Sequence, residues 1–356
     1  MSRLAGERVL VIGAAGFIGG RLTERLLFEE GARVRAFVRN YASSSYLGRF
    51  DVEIVQGSVA DRRAVAAACE GCSVVVNCSY SSKGILEADL AVNAEGVINV
   101  LDGAMGAGAR RVVHISTVSV MGPNPPEGAD ETYPCSPTGE MYGDTKLAGE
   151  RRAIEHHERT GSPIVVVRPT VVYGPRAASW TVGPISRIRS GEQLLIGRNG
   201  ICNPVFVDNL VDGLLLAMTV EGIDGQTYII SDGIAVPWRT FLGYYVDWTG
   251  GTLRTRSHIT AQALACAVRA WEKTARVVVN RVFAKEDEKL RRGAVSYSRQ
   301  LLFPGVEREA VWVKFFASGA RLSIEKARRD LGYEPRFSID EGMTITREWA
   351  RIQGLI

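Results

Sequence analysis

Over the first 170 positions, short apolar runs rich in Val and Ile alternate with segments whose apolar residues recur at helical spacing. RVLVIG (8–13), RVRAFVR (33–39), VEIVQG (52–57), SVVVNC (73–78), RVVHIS (111–116) and IVVVRP (164–169) read as strands. Between them GGRLTERLLFEEG, ADRRAVAAACEG and ADLAVNAEGVINVLDGAMGAG read as helices. Strands that are continuously apolar, rather than alternating, belong to a parallel sheet covered on both faces. Right-handed crossovers then wind the chain on both sides of it, giving an α/β doubly wound fold. After residue 174 the pattern loosens. PVFV (204–207), the helical DNLVDGLLLAM and GQTYIIS (225–231) are expected to return to the main sheet. Two domains follow: a dinucleotide-binding one at 1–174, rejoined by 203–231, and a smaller substrate domain built from 175–202 and 232–356.

The first strand runs into VIGAAGFIGG, with Gly13, Gly16 and Gly19 between a buried strand and a helix, and Phe17 and Ile18 are expected to bind cofactor with them. Glycines here permit a tight turn, close approach of backbone to a pyrophosphate, and close packing of helix on strand. Unpaired N–H groups at the helix start attract phosphate. This is a Rossmann-type loop, spaced G-x-x-G-x-x-G. The second strand ends Val38–Arg39–Asn40, where an NAD site usually carries an acidic residue for the ribose 2′-hydroxyl. With no carboxylate to repel a 2′-phosphate and a guanidinium to bind one, NADP(H) is favoured and NAD(H) stays open. The alternative is a solvated surface arginine.

Tyr142 and Lys146, in GEMYGDTKLAGE, fall on one face of a helix a turn apart. An ammonium beside a phenol favours the phenolate and lowers a pKa that starts near ~10, which suits proton transfer at a carbonyl or alcohol carbon. Upstream, RVVHISTVSVMG places Ser116 and Thr117 at the carboxyl end of a parallel strand, where ligands of open α/β sheets bind.

These pieces together resemble the extended short-chain dehydrogenases/reductases of the NAD-dependent epimerase/dehydratase group. The matching stretches are GAAGFIGG, HISTVSVMG, YGDTK, RPTVVYGP, PVFVDNLVDG and RLSIEKARRDLGYEP, which span almost the whole chain. The resemblance implies a triad of Thr117, Tyr142 and Lys146. Tyr142 is then the general acid/base, Lys146 tunes it and binds the nicotinamide ribose, and Thr117 bonds the substrate oxygen. It further implies that Pro169 to Val172 face the nicotinamide, Ser58 and Val59 the adenine, and Cys78 and Ser79 the ribose. Ser58 departs from the aspartate common in that family. Gly143 is expected to leave room for cofactor or substrate at the helix start. A homodimer built partly on the Tyr142 helix is implied as well.

Within this group, RPTVVYGP has Thr170 and Val171 where nucleotide-sugar enzymes often have asparagine. Cys202, Asn203 and Pro204 stand where those enzymes tend to carry a phosphate-binding arginine. The pattern is more similar to the 3β-hydroxysteroid dehydrogenase and dihydroflavonol reductase branch. The expected activity is therefore reversible NADP(H)-linked hydride transfer at a ketone or secondary alcohol of a fairly apolar small molecule. The alternatives are a nucleotide-sugar epimerase or dehydratase with tightly bound NAD, and a dinucleotide-binding regulator without catalysis. The long loop PNPPEGADETYPCSPTGE is expected to border the substrate pocket, with Met121, Tyr133 and Met141 as wall residues.

Charge and composition change this picture little. The net charge is +4, and residues 261–300 hold nine Lys/Arg against four Asp/Glu. That basic segment carries Leu264, Val268, Trp271, Ala275, Val278 and Val282 on one helical stripe. It is expected to pack its apolar side inward, with weak contact to an anionic membrane through 261–292 as the alternative. No nucleic-acid signature accompanies the charge. The six cysteines include one C-x-x-C, Cys69 and Cys72, without a second pair or histidines at zinc spacing, so no metal site is expected. No apolar run approaches the ~20 residues of a membrane span, and the N-terminus has no signal-peptide pattern, so a cytoplasmic protein is expected.

Overall fold

The computed structural model describes residues 3–192, 194–196, 200–282, 313 and 316–356. The chain forms two compact units: Met1–Gly183 with Asn203–Ala235 and Arg321–Ile356, and Pro184–Cys202 with Val236–Ala320.

The first unit opens with β1 (Arg8–Ile12), α1 (Phe17–Phe28), β2 (Arg33–Val38), β3 (Glu53–Gln56), α2 (Arg62–Cys69) and β4 (Val74–Asn77). Next come α3 (Leu86–Leu90), a π-helical turn at Ala91–Glu95, α4 (Gly96–Gly106), β5 (Arg111–Ile115), α5 (Met141–Thr160), β6 (Ile164–Pro169) and β7 (Val171–Tyr173). After an excursion into the second unit through α6 (Gly183–Arg189), β8 (Leu194–Ile196) and β9 (Ile201–Cys202), it resumes. There β10 (Pro204–Phe206), α7 (Val207–Thr219) and β11 (Thr227–Ile230) follow. The second unit adds β12 (Val236–Pro237), α8 (Trp238–Thr249), β13 (Arg254–Arg256) and α9 (His258–Val282). The first unit then closes with α10 (Glu325–Leu331) and α11 (Ile339–Ile352).

Seven strands make one sheet in the order β11-β6-β5-β4-β1-β2-β3, every pairing parallel. Its two faces sort the Val/Ile runs by alternation. Val9, Val11, Val76, Val113 and Val165 pack with Leu22, Leu26, Leu210 and Leu214 of α1 and α7. Leu10, Ile12, Val75, Val112 and Val166 pack with Val65, Val97, Val100 and Ala153 of α2, α4 and α5. Burial on both faces is why these strands carry no polar alternation.

Two expectations on organisation are corrected. PVFV does not rejoin the main sheet: β10 pairs in parallel with β7 as a separate two-stranded ribbon, and only β11 of the later strands extends the sheet, on β6. Residues 321–356, expected in the substrate domain, belong to the first unit. Phe337 exchanges both backbone hydrogen bonds with the side chain of Asn209, and Arg336 pairs with Asp212 of α7. The Tyr333 hydroxyl donates to the Ser231 carbonyl at 3.0 Å.

The basic stripe is only partly inward. On α9, Val268 is buried and Trp271 and Ala275 are half-buried, while Val278 is exposed. Residues 283–300, and the side chains of Leu264 and Val282, lie outside the described residues. Among those described, no helix is long and apolar enough to cross a membrane, and no group of three His, Cys, Asp or Glu could hold a metal.

Candidate active site

The register of the sheet brings the candidate residues to one edge. Ile12 stands beside Phe37 and Asn77, Val38 beside Gln56, Asn77 beside His114, and Ile115 beside Val167. Hence Gly13, Arg39 and Asn40, Ser58, Cys78 and Ser79, Thr117 and Thr170 all follow carboxyl ends of adjacent strands. That is where an open parallel sheet holds its ligands.

Gly13 has φ +79°, and a β-carbon there would lie 3.1 Å from the Cys78 carbonyl carbon and oxygen. A β-carbon at Gly19 would come within 2.4 Å of the Gly13 oxygen, so α1 can seat on the loop only with glycine. Gly16 is the N-cap, offers no side chain to the first-turn amides, and no acidic residue stands in that turn. Phe17 and Ile18 thus present N–H groups without a protein partner of opposite charge. This loop fits the diphosphate of a dinucleotide: a tight cradle, free amides and the positive end of a helix.

Around it, Arg39 is exposed and has no carboxylate partner among the described residues, and Asn40 is exposed beside it. Ser58 is exposed, its hydroxyl accepting from the Ala60 N–H. Val59 is buried and its carbonyl is held by Asn99. The Ser79 hydroxyl donates to Asn77 Oδ1 at 2.6 Å, and burial pushes the Cys78 thiol up to about 12. Pro169 ends β6 buried and Val172 is half-buried in β7.

Thr117 follows β5 in extended backbone, its hydroxyl accepting from the Ser119 N–H at 3.2 Å. Its side chain acts on the Tyr142 phenol, favouring the ionised form. Its neighbour Ser116 points elsewhere, donating to Glu150 Oε2 at 2.6 Å. Tyr142 is 40% exposed and its ring meets Tyr80 edge to face, centroids 6.4 Å apart. Asp144 fixes the approach to α5 by accepting from the Thr138 and Gly139 N–H groups.

Three expectations change here. Desolvation raises the Tyr142 pKa where a lowered one was expected, and Thr117 opposes the rise. The Lys146 ammonium is buried and donates instead to the Ile115 carbonyl at 2.5 Å. Burial lowers its pKa to about 8 against the raising influence of Glu150. Gly143 makes room for protein rather than ligand: a β-carbon there would sit 3.0 Å from the Ser119 carbonyl oxygen, so the glycine lets the Thr117 loop close on α5. Of the expected wall residues only Met141 is exposed; Met121 is buried in the core and Tyr133 packs against it. The long loop is pinned there by Glu131, which accepts the Ile229 N–H of β11 at 2.6 Å, and by backbone bonds between 128–129 and 321–323.

The sequence reading missed a buried cluster beneath the site. Glu150, two turns along α5 from Tyr142, accepts from Ser116 and from Arg168 of β6, all three buried. Its position one turn after Lys146 on the same stripe was the available signal. Asn93 braces the same helix, donating to Thr145 Oγ1 at 3.0 Å and to the Ser81 carbonyl.

A comparison with protein families matches residues 9–231 to the NAD dependent epimerase/dehydratase family. The chain belongs to this family. A 3 beta-hydroxysteroid dehydrogenase/Delta 5-->4-isomerase of Mycobacterium tuberculosis is 28% identical over 358 residues, covering 95% of this chain and 88% of the relative. A 4-hydroxy-2-methyl-3-oxo-4-farnesyl-3,4-dihydroquinoline-1-oxide ketoreductase of Stigmatella aurantiaca is 26% identical, covering 96% of each. Among solved structures, the dTDP-glucose 4,6-dehydratase DesIV of Streptomyces venezuelae, with NAD and TYD bound, superposes with a TM-score of 0.72 at 21% identity. It covers 97% of each chain, and that likeness is one of fold. Family membership and the relatives' names indicate a nicotinamide-dependent oxidoreductase of the short-chain dehydrogenase/reductase type.

Proposed function

We propose that this protein is an NADP(H)-linked oxidoreductase acting at a ketone or secondary alcohol of a fairly apolar small molecule, with Tyr142 exchanging the proton. The observation that carries the reading is the phenol itself. Desolvation raises its pKa, Thr117 opposes that rise, and it is set beside exposed apolar surface. Tyr80 and Met141 flank it, and Ile85 and Leu86, at the start of α3 packed against α5, are exposed as well. A hydroxyl pair of this kind orients a carbonyl oxygen and delivers a proton to it. The nicotinamide supplies or accepts the hydride. Two relatives named for a hydroxysteroid and a farnesyl-bearing ketone support an apolar substrate.

The test is a panel of steroid, prenylated and aliphatic ketones offered with NADPH or NADH, alongside UDP- and dTDP-sugars. Oxidation of NADPH with ketones is expected. Saturating turnover of a nucleotide sugar, with none of any ketone, would overturn the reading in favour of an epimerase or dehydratase.

Arg39 supports the choice of NADP(H), because it is exposed just beyond β2 with no carboxylate partner among the described residues. Arg39→Ala is expected to weaken NADPH by about 1.5–3 kcal/mol, roughly 10- to 150-fold, and to leave NADH unchanged. Direct titration reads the ratio of the two affinities, and an unchanged ratio would return Arg39 to the solvated surface.

A further inference from the structure

Arg176 stands in a backbone position that suits glycine. In Gly174–Pro175–Arg176–Ala177 the Ala177 N–H donates to the Gly174 carbonyl at 3.2 Å, and Arg176 has φ 72°. Proline second, a positive φ third and a closing hydrogen bond are the marks of a type II turn, whose third residue is normally Gly or Asn. Arg176 is the one non-glycine residue with positive φ among those described. The side chain is nonetheless held: its guanidinium lies 3.7 Å above the Tyr46 ring.

That contact explains a second anomaly. α1 carries two successive glycines, Gly19 and Gly20, as its third and fourth residues, and glycine weakens a helix. Gly19 is required by the Gly13 carbonyl, whereas Gly20 faces Arg176. A β-carbon at Gly20 would lie 3.0 Å from Arg176 Nη1 and 3.4 Å from the Tyr46 ring. An unfavourable turn residue and an unfavourable helix residue thus meet at one point, and together they lay a guanidinium along the first turn of α1. No carboxylate pairs with it among the described residues; the nearby Glu24 bonds Tyr46 and Arg21. Gly20 donates to the Gly16 carbonyl, so the guanidinium is about one turn, ~5.4 Å, from the first-turn amides of Phe17 and Ile18.

We propose that Arg176 is a dinucleotide-binding residue that holds the diphosphate of the nicotinamide cofactor against the first turn of α1. The inference rests on the reading that this chain binds such a cofactor. A planar fork presented beside helix amides matches phosphate oxygens, which accept from both. Stacking on Tyr46 fixes the fork before the ligand arrives.

The test compares wild type, Arg176→Gly, Arg176→Lys and Gly20→Ala by calorimetric titration with NADH and NADPH, together with thermal unfolding without ligand. Arg176→Gly is expected to weaken both dinucleotides in the same ratio, roughly 10- to 100-fold, with a ligand-free midpoint no lower than wild type because the turn is relieved. Arg176→Lys is expected to recover part of the loss, and Gly20→Ala to weaken both dinucleotides by displacing the guanidinium. Wild-type affinity in Arg176→Gly overturns the proposal. So does a loss confined to NADPH, which would put the guanidinium on the 2′-phosphate. A midpoint that falls in step with affinity overturns it too, since Arg176 would then only staple Tyr46 to α1. Failure of the wild type to bind either dinucleotide would sink the cofactor reading itself, and it is seen before any substitution is made.

Discussion

Tyr142→Phe is expected to lower turnover by roughly 10²- to 10⁴-fold while dinucleotide binding is retained. Phenylalanine keeps the ring, and with it the edge-to-face contact with Tyr80 at 6.4 Å, so the change removes a hydroxyl and little packing. What is lost is the proton donor on which Thr117 acts. The sign of the pKa shift bears on direction. Desolvation raises the phenol above its ordinary value, so the acid form persists through neutral and mildly alkaline pH. Reduction, which needs the phenol, should be insensitive to Tyr142 titration in that range; oxidation, which needs the phenolate, should rise with pH. Steady-state rates in both directions, with a dinucleotide titration of the variant as control, check this. Near-normal turnover of the variant would remove Tyr142 from the chemistry.

The residues that could be read from the chain are those whose chemistry depends on a local pattern. Gly13, Gly16 and Gly19 are legible because a strand, a turn and a helix start fix their spacing. The parallel register then sets them beside Cys78, Ser79 and Thr117 without further information. Tyr142 and Lys146 share a helix face as expected, but spacing on a face does not say where a long side chain ends. Lys146 has four methylene groups with which to reach the Ile115 carbonyl, and the buried site rewards a satisfied ammonium. Gly143 was misread for a similar reason: the group that crowds it, the Ser119 carbonyl, arrives from a loop 24 positions earlier. The 321–356 segment was misassigned because its anchors, Asn209 and Asp212, lie on a helix more than a hundred positions away. Pattern reading recovers what neighbours in sequence determine, and it misses what a distant backbone group decides.

Glu150→Gln is expected to destabilise the protein by about 3–5 kcal/mol, because it leaves the buried Arg168 guanidinium without its counter-charge. Glu150 accepts from Arg168 Nε at 3.1 and 3.2 Å and from Ser116, and the three side chains are buried together under the site. The same carboxylate opposes the burial that lowers Lys146 to about 8, so its removal moves Lys146 lower still. The folded-state pKa of Lys146 lies below its ordinary ~10.4, so the charged lysine is a cost to the fold at low pH that is relieved as pH rises. The extra cost in the variant is therefore largest at low pH, shrinks as pH climbs toward 8, and is gone above it. The Arg168 share stays constant throughout. Urea unfolding of both proteins across this range separates the two shares, and a deficit that does not change with pH would detach Glu150 from Lys146. Activity offers an independent reading. If the cationic lysine is the working form, the alkaline limb of the wild-type rate profile falls near pH 8, and in Glu150→Gln it moves to lower pH. A limb that stays in place while stability drops would leave Glu150 as a prop for β6 and α5, with no part in setting the charge of the site.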